Sequence, residues 1–327
     1  MRNSLLLGLG LVMTSGAYAN GIEQIPNQSG FSGFVHGGVS VMEYQSNFYS
    51  NGDDDERNKS GSANSVSGVN PLINLDLRYT FADSRTQVFL GNLIQDAIRF
   101  DFTQQLGVRQ QIGDKGILAG SLVFNAMPTE QWADPFDLGN KNTTDIESKG
   151  VRLAWNKIWG SNFNASLTSR KVEVDNEQSG KENDPSYASM LDRNGKLTSM
   201  QLAYQWQIAP GHSLEPAFIY READLDGKAQ SYESNGLQLT YATRGNKWSW
   251  VSNAYVGASE YEAANPIFGR KADSNELALT STLFWHQLFG IAPLSATVTA
   301  GFTRSDSDIS FYDSEAAIFS TGLLYNF

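Results

Sequence analysis

The feature that most restricts this chain is a period of two that returns almost from end to end. Ile73, Leu75, Leu77, Tyr79 and Phe81 are apolar, while Asn74, Asp76, Arg78 and Thr80 between them are polar. The pattern returns in Met200, Leu202, Tyr204 and Trp206 against Gln201, Gln205 and Gln207. It recurs in Leu277, Leu279, Leu283 and Trp285 against Glu276, Thr280, Thr282 and His286. Successive side chains of a strand point to opposite faces, so each segment reads as a strand with one oily and one wet side. Past the first twenty residues, no stretch approaches the roughly 18 consecutive apolar residues that a membrane helix needs.

A soluble sandwich would also alternate, and connection lengths separate the two. The pattern predicts strands near 31–46, 70–81, 86–92, 98–112, 116–127, 149–159, 162–174, 196–208, 212–223, 235–244, 247–258, 274–287, 295–305 and 316–327. Short links (82–85, 113–115, 160–161, 209–211, 245–246, 288–294) alternate with mostly long, polar ones (47–69, 93–97, 128–148, 175–195, 224–234, 259–273, 306–315), and both termini fall on the short side. Short periplasmic turns, long outer loops and an even strand count describe an antiparallel up-and-down transmembrane β-barrel of about 14 strands, with twelve or sixteen also compatible.

The first residues carry an address. Arg2 is followed by an apolar run from Leu5 to Met13 and then by Ala17-Tyr18-Ala19. A short apolar run ending in Ala-x-Ala reads as a secretory signal peptide over 1–19, leaving 20–30 as a periplasmic segment and 31–327 as the barrel. Cysteine is absent, which removes disulfides, thiolate metal sites and Cys nucleophiles. A net charge of −11 argues against nucleic acid as a partner, since phosphate binding needs a basic face.

Aromatic placement gives a second, independent sign. Tyr79, Phe81, Trp155, Trp159, Phe163, Trp206, Tyr241, Trp248, Trp250, Trp285, Tyr325 and Phe327 all lie close to short links or the C-terminus. Amphipathic rings favour the headgroup level, so in a barrel these residues form a periplasmic girdle. The last strand ends Leu323-Leu324-Tyr325-Asn326-Phe327, resembling the signal that outer-membrane barrels present to their insertion machinery. Pro216 fits badly inside a strand because it lacks a ladder donor, and it predicts a bulge or a shifted boundary.

Particular residues carry a family resemblance. These are Ile25-Pro26, the run from Gly30 to Val35, Ser46-Asn47-Phe48, the stretch from Gly91 to Ile112, Pro128 to Phe136, and Gly150 to Trp155. Together they resemble the bacterial outer-membrane family catalogued as domain of unknown function 2860, across essentially the whole mature chain. The resemblance implies an outer-membrane barrel of Gram-negative bacteria and brings no activity or catalytic residues with it.

If the oily faces meet lipid, the others line the lumen. Inward candidates are Arg78, Arg99, Arg109, Arg152, Arg170 and Arg221, with Asp76, Asp101, Glu215 and Glu276, alongside Gln105, Gln201, Gln205, Gln207, Asn164 and Asn253. An Arg or Lys facing lipid at midplane costs about 2–4 kcal/mol, which drives such residues inward. Two outcomes remain open: a water-filled pore whose charged rows select solutes, or charges that pair across the lumen and fill it. Asn51 to Glu56 reads as a solvated loop tip, and its spacing lacks the alternate-position ligands of a calcium loop. Trp132, Asp134 and Phe136 stand in a polar loop and predict a constriction or a rim contact, with a plug of the loop's own base the equal alternative. Histidines 36, 212 and 286 sit in or at strands, away from clustered Ser or acid, so neither a hydrolase nor a metal site is expected, and no cofactor. The expectation is a porin-like channel for small hydrophilic solutes, with a structural or adhesive barrel acting through its loops as the alternative and a barrel hydrolase behind both. The partners expected are membrane lipid and lipopolysaccharide.

Overall fold

A computed structural model describes residues 24–50, 57–96, 101–125 and 129–327, with the side chains of 94–96, 101 and 102 left out of the description. The signal peptide, the Asn51–Glu56 loop tip and Arg99 lie outside the described residues. The strands are β1 (Gly30–Gln45), β2 (Val66–Phe81), β3 (Thr86–Asp96), β4 (Asp101–Gln111), β5 (Ile117–Phe124), β6 (Thr129–Trp132), β7 (Thr143–Asn156) and β8 (Phe163–Val174). They continue as β9 (Gly195–Tyr204), β10 (Trp206–Ala209), β11 (His212–Leu225), β12 (Tyr232–Arg244), β13 (Trp248–Tyr261), β14 (Ser274–His286), β15 (Leu294–Ser307) and β16 (Ser314–Asn326). β6 pairs with β7 off the main path, and β9 and β10 are two pieces of one stave, so the wall is a closed antiparallel barrel of fourteen staves.

Closure is made by the chain ends. β16 pairs with β1 from Phe34 opposite Asn326 to Gln45 opposite Glu315. Phe327 adds a last rung: its N–H donates to the Gly33 carbonyl at 3.0 Å, and the Gly33 N–H donates to the Phe327 carbonyl at 3.1 Å. A closed ladder has no edge, which lets strands satisfy their backbone without water. Among the described residues, no helix is long and apolar enough to cross a membrane.

The alternation sorts the side chains as the sequence suggests. Every stave presents at least one large exposed apolar side chain outward, from Val39 on β1 and Ile73 on β2 round to Val298 on β15 and Phe319 on β16. A continuous oily belt of this kind is foreign to the surface of a water-soluble monomer. At the short-turn rim, Phe81, Trp206, Trp248, Trp250, Trp285, Tyr325 and Phe327 are exposed on the outside. Tyr79 lies edge-on to Phe31 and Phe81, at 4.9 and 4.8 Å, and Trp155 lies edge-on to Trp159 at 4.8 Å. Trp159 and Phe289 occupy matching turns with φ of 50° and 54°, a left-handed conformation that costs a residue bearing a Cβ roughly 1–2 kcal/mol. Their rings are among the most exposed of the chain.

Several strands run further toward the long loops than their oily pattern. β2 begins at Val66, β7 at Thr143 and β12 at Tyr232, while β3 continues to Asp96 and β13 to Tyr261. Above the belt both faces are polar, so the period of two loses its signature although the ladder continues. Lys171 and Lys149 contact Glu173 there, at 2.6 and 3.2 Å, and Arg304 contacts Asp306 at 2.6 Å.

Pro216 does not shift the register. On β11, Ala217 faces Ala203 of β9 and Leu214 faces Trp206 of β10, one unbroken alignment. The proline removes a donor, and the ladder lapses one place beyond Tyr204, which stands opposite it, at Gln205 between the end of β9 and the start of β10. The irregularity in this stave lies further on, between Gln207 and Ala209.

Candidate functional site

Among the described residues, the inner wall carries Asp76, Arg78, Arg109, Arg152, Arg170, Glu215, Arg221 and Glu276, most of them held by partners along the wall. Arg78 pairs with Asp76 on the same strand at 2.5 Å. Arg109 donates to Gln87 Oε1 at 2.7 Å, and Gln87 Nε2 donates to Thr80 Oγ1 at 2.7 Å. Arg152 donates to Thr168 Oγ1 at 3.0 Å, and buried Arg170 donates to Ser148 Oγ at 2.9 Å. Arg221 donates to the Tyr255 hydroxyl at 2.9 Å and lies 3.5 Å from Glu276 Oε2, a contact that steps from β11 to β14. Glu276, 4 % exposed, also accepts from Ser259 at 2.7 Å and from Tyr255 at 3.3 Å. Glu215 is half-buried on β11, and Asp101 opens β4 with its side chain outside the description. Most of these arginines thus lie along the wall; the Arg221–Glu276 contact spans several staves.

Tyr255 owes its place to two glycines. Gly236 of β12 faces Gly257 of β13, and a Cβ on either would strike the Tyr255 ring. The ring lies flat over that pair, and the Arg221 guanidinium stands 5.0 Å from its centroid. His36 is fully buried on β1, with Nε2 at 2.8 Å from Thr297 Oγ1 and Nδ1 at 3.3 Å from Asn74 Nδ2, and Asn74 accepts from Asn92 at 2.6 Å. His286 bridges Ser249 and Ser295, at 2.8 and 3.1 Å, and His212 meets the Tyr241 hydroxyl at 2.7 Å. Among the described residues, no group of three or more His, Asp or Glu is arranged to hold a metal ion.

The lining is not polar throughout, contrary to the expectation from alternation. Phe34, Leu72, Phe284 and Leu324 form a buried cluster inside the barrel. Phe284 follows Leu283 and precedes Trp285, both exposed on the outer wall, and an unbroken apolar run hides which of its members turns inward.

At the long-loop end, residues of several loops pack together into a cap. Phe136, Leu191, Ala229, Tyr261, Ala272, Ile309 and Phe311 form one buried cluster, with Phe48, Met190, Phe268 and Tyr312 packed against it. The Phe136 and Phe311 rings stack with centroids 5.1 Å apart, and Phe48 meets Tyr312 edge-on at 5.0 Å. The loop holding Trp132, Asp134 and Phe136 is therefore joined to a shared cap rather than folded on its own base. Asp134 Oδ1 accepts from the backbone N–H of Phe136 and of Gly180, each at 3.0 Å, tying two loops together.

Two arginines that sequence reasoning missed staple the cap. Arg57, the residue after the Asn51–Glu56 stretch, is 7 % exposed and donates to the carbonyls of Asp134, Asp137 and Asn140 at 2.8–2.9 Å, with its guanidinium 4.1 Å from the centroid of the Trp132 ring. Arg193 donates to Glu177 Oε2 at 2.7 Å, to Gln131 Oε1 at 3.0 Å and to the Trp132 and Ala133 carbonyls at 3.0 Å. Burial works to raise the Glu177 carboxyl, but the charge and hydrogen bond of Arg193, with the hydrogen bonds from Ser179, overcome it and hold Glu177 below the usual glutamate range. Burial raises the Tyr312 hydroxyl, which receives hydrogen bonds from Gln230 at 2.9 Å and Asn265 at 2.8 Å. Nothing in the local sequence around Arg57 or Arg193 marks either residue, because their partners are mostly carbonyls of distant loops.

Beneath the cap lies a chamber of about 240 Å³. Its roof includes Phe48, Gln131, Arg193 and Tyr312, and its walls include Ser148, Arg170, Leu197, Ser199, Arg221, Tyr232, Tyr261, Ser274 and Ser305.

A family model for proteins of unknown function, DUF2860, matches residues 30–326. The chain belongs to that family. The match runs from the first residue of β1 to the last residue of β16, so the family and the barrel have the same limits. No curated protein matches the chain. Similar solved structures include a FadL homologue of Pseudomonas aeruginosa, with a TM-score of 0.47, 11 % identity, and 90 % of each chain covered. They include the outer membrane channel DcaP of Acinetobacter baumannii, with a TM-score of 0.43, 10 % identity, and 92 % of this chain and 97 % of that one covered. They also include in-vitro folded OmpT, an outer membrane protein of Vibrio cholerae, with a TM-score of 0.43, 8 % identity, and 94 % and 100 % covered. The likeness is one of barrel architecture.

Proposed function

We propose that this protein resides in the bacterial outer membrane as a passive, porin-like channel for small solutes, held shut at its outer mouth by its own loops. The observation that carries the reading is the chamber inside the barrel under the cap, continuous with a wall on which charged groups are held aside by their neighbours. A filled barrel would spend that space on side chains. The oily belt supports lipid as the surrounding medium, and the aromatic rim supports a headgroup layer at the short-turn end. In this reading the rim is periplasmic, the cap faces outward, and the strand closing on Phe327 is the element offered to the insertion machinery. The role proposed is transport, with no catalysis.

Planar-bilayer recording of the purified, refolded protein tests the proposal. The native chain gives rare or brief conductance steps, and a variant lacking the cap staple (Arg193→Met) gives frequent ones. Silence from both at every voltage overturns it. The inward cluster of Phe34, Leu72, Phe284 and Leu324 favours a second reading, a structural or adhesive barrel with a filled lumen. Liposomes carrying the Arg193→Met protein separate the two, since they stay osmotically tight toward neutral sugars only if the lumen is filled.

A further inference from the structure

We propose that the chamber beneath the cap is a binding site for a small organic anion with a flat apolar body, such as an aromatic carboxylate. The inference rests on the channel reading and names the class of solute it would carry.

The chamber has two unlike sides. On one wall, Arg170 of β8 and Arg221 of β11 flank β9, with Arg170 opposite Leu197 and Arg221 opposite Ser199. Guanidiniums on the two staves that flank β9 can each offer a carboxylate a bidentate fork, a geometry that arginine favours over lysine. On the other side stand rings. Tyr232 and Tyr261 lie 5.4 Å apart, Tyr261 meets Tyr312 edge-on at 5.8 Å, and Tyr312 meets Phe48 at 5.0 Å. Aromatic faces at such spacings accept another flat ring by offset or edge contact.

The charge inside the chamber has one sign. Its lining includes the cations Arg170, Arg193 and Arg221 and one acid, Glu222. Glu222 faces Glu233 across the ladder, and alternation from inward Arg221 turns both acids to the outer face. Arg193 is committed to Glu177 in the cap, Arg170 donates to Ser148, and Arg221 donates to Tyr255 and lies 3.5 Å from Glu276. The volume of about 240 Å³ is near the lower end of small-molecule sites, commonly about 300–1,000 Å³, and suits a single ring rather than an oligomer. A divalent cation would find arginines, rings and hydroxyls where it needs carboxylates.

Isothermal titration calorimetry on the full-length protein refolded in detergent tests this, with benzoate, benzamide, gluconate and acetate as probes. Benzoate binds at least tenfold tighter than benzamide, which lacks the charge, and at least tenfold tighter than gluconate and acetate, which lack the ring. Arg170→Gln and Arg221→Gln each weaken benzoate tenfold or more while leaving benzamide as it was. If a glutamine variant fails to refold, Arg170→Lys keeps the charge, loses the fork, and gives intermediate affinity. Equal affinity for benzoate and benzamide, or for benzoate and gluconate, overturns the proposal, as does an absence of saturable benzoate binding in a protein that conducts. Tight benzoate binding by a protein that never conducts would instead sink the channel reading and leave the chamber as a receptor site.

Discussion

Replacing Arg193 by Met is the sharpest perturbation of the cap. The arginine is 7 % exposed and makes its hydrogen bonds to three separate places: the Glu177 carboxylate, the Gln131 amide, and the carbonyls of Trp132 and Ala133. Methionine fills much of the volume and returns none of those donors. It also strands Glu177, whose side chain is only 11 % exposed. Removing one partner of a buried ion pair costs roughly 3–5 kcal/mol, most of it the penalty of the charge left behind. The barrel ladder does not pass through these residues, so the loss falls on the cap. Hydrogen–deuterium exchange reads it at the amides of Trp132, Ala133 and Gln178, which donate to Phe48, Asn142 and Ala133 across the loops. At about 1.4 kcal/mol per tenfold change, protection there drops by about 100-fold to a few thousand-fold, while amides of β11 to β16 keep theirs. The double variant Glu177→Gln with Arg193→Met recovers part of the loss. Unchanged protection in the single variant would refute the staple.

Other outcomes follow from the same contacts. Glu177 has a folded pKa below its ordinary value of 4.5, so its contribution to the cap is complete above that value and drains away as pH falls through the depressed one. Exchange-corrected protection of the cap is therefore flat from pH 8 to pH 6 and falls below about 4.5, and a flat response down to pH 3 would contradict this. Phe136→Ala opens a void among Phe48, Phe268 and Phe311 and costs the cap about 3–5 kcal/mol, read as loss of loop protection and as more frequent conductance steps. Gly236→Ala drives a methyl into the Tyr255 ring, displaces it from Arg221 and Glu276, and costs about 1–3 kcal/mol in barrel stability, measured as a lower Tm in detergent.

The barrel was legible because its wall repeats one local rule fourteen times over. Ile73 to Phe81 declares which side is oily, and the short links near Trp206, Trp248 and Trp285 declare which end carries the rings. Inward placement of Asp76, Arg78 and Glu276 follows from the same rule. What was hidden has no local signature. Whether Phe284 or its neighbours turns inward depends on register within an apolar run, and a slip of one residue would reverse it. Arg57 and Arg193 bind carbonyls contributed by loops far away in sequence, so neither spacing nor residue type announces them. Strand ends above the belt escaped for a related reason: Lys149, Lys171 and Glu173 face outward there and erase the contrast between faces.

The central claim is that hydrocarbon surrounds the oily side of this barrel while its interior belongs to the solute path. The chain has no cysteine, so single cysteines carrying a nitroxide can be set along β12 and β14 without background. In lipid bilayers, labels at Leu237, Leu239, Leu277 and Leu279 should collide with dissolved oxygen and be shielded from a water-soluble nickel chelate, and labels at Gln238 and Ala278 should reverse that preference. Equal access of the chelate to both sets would contradict the account.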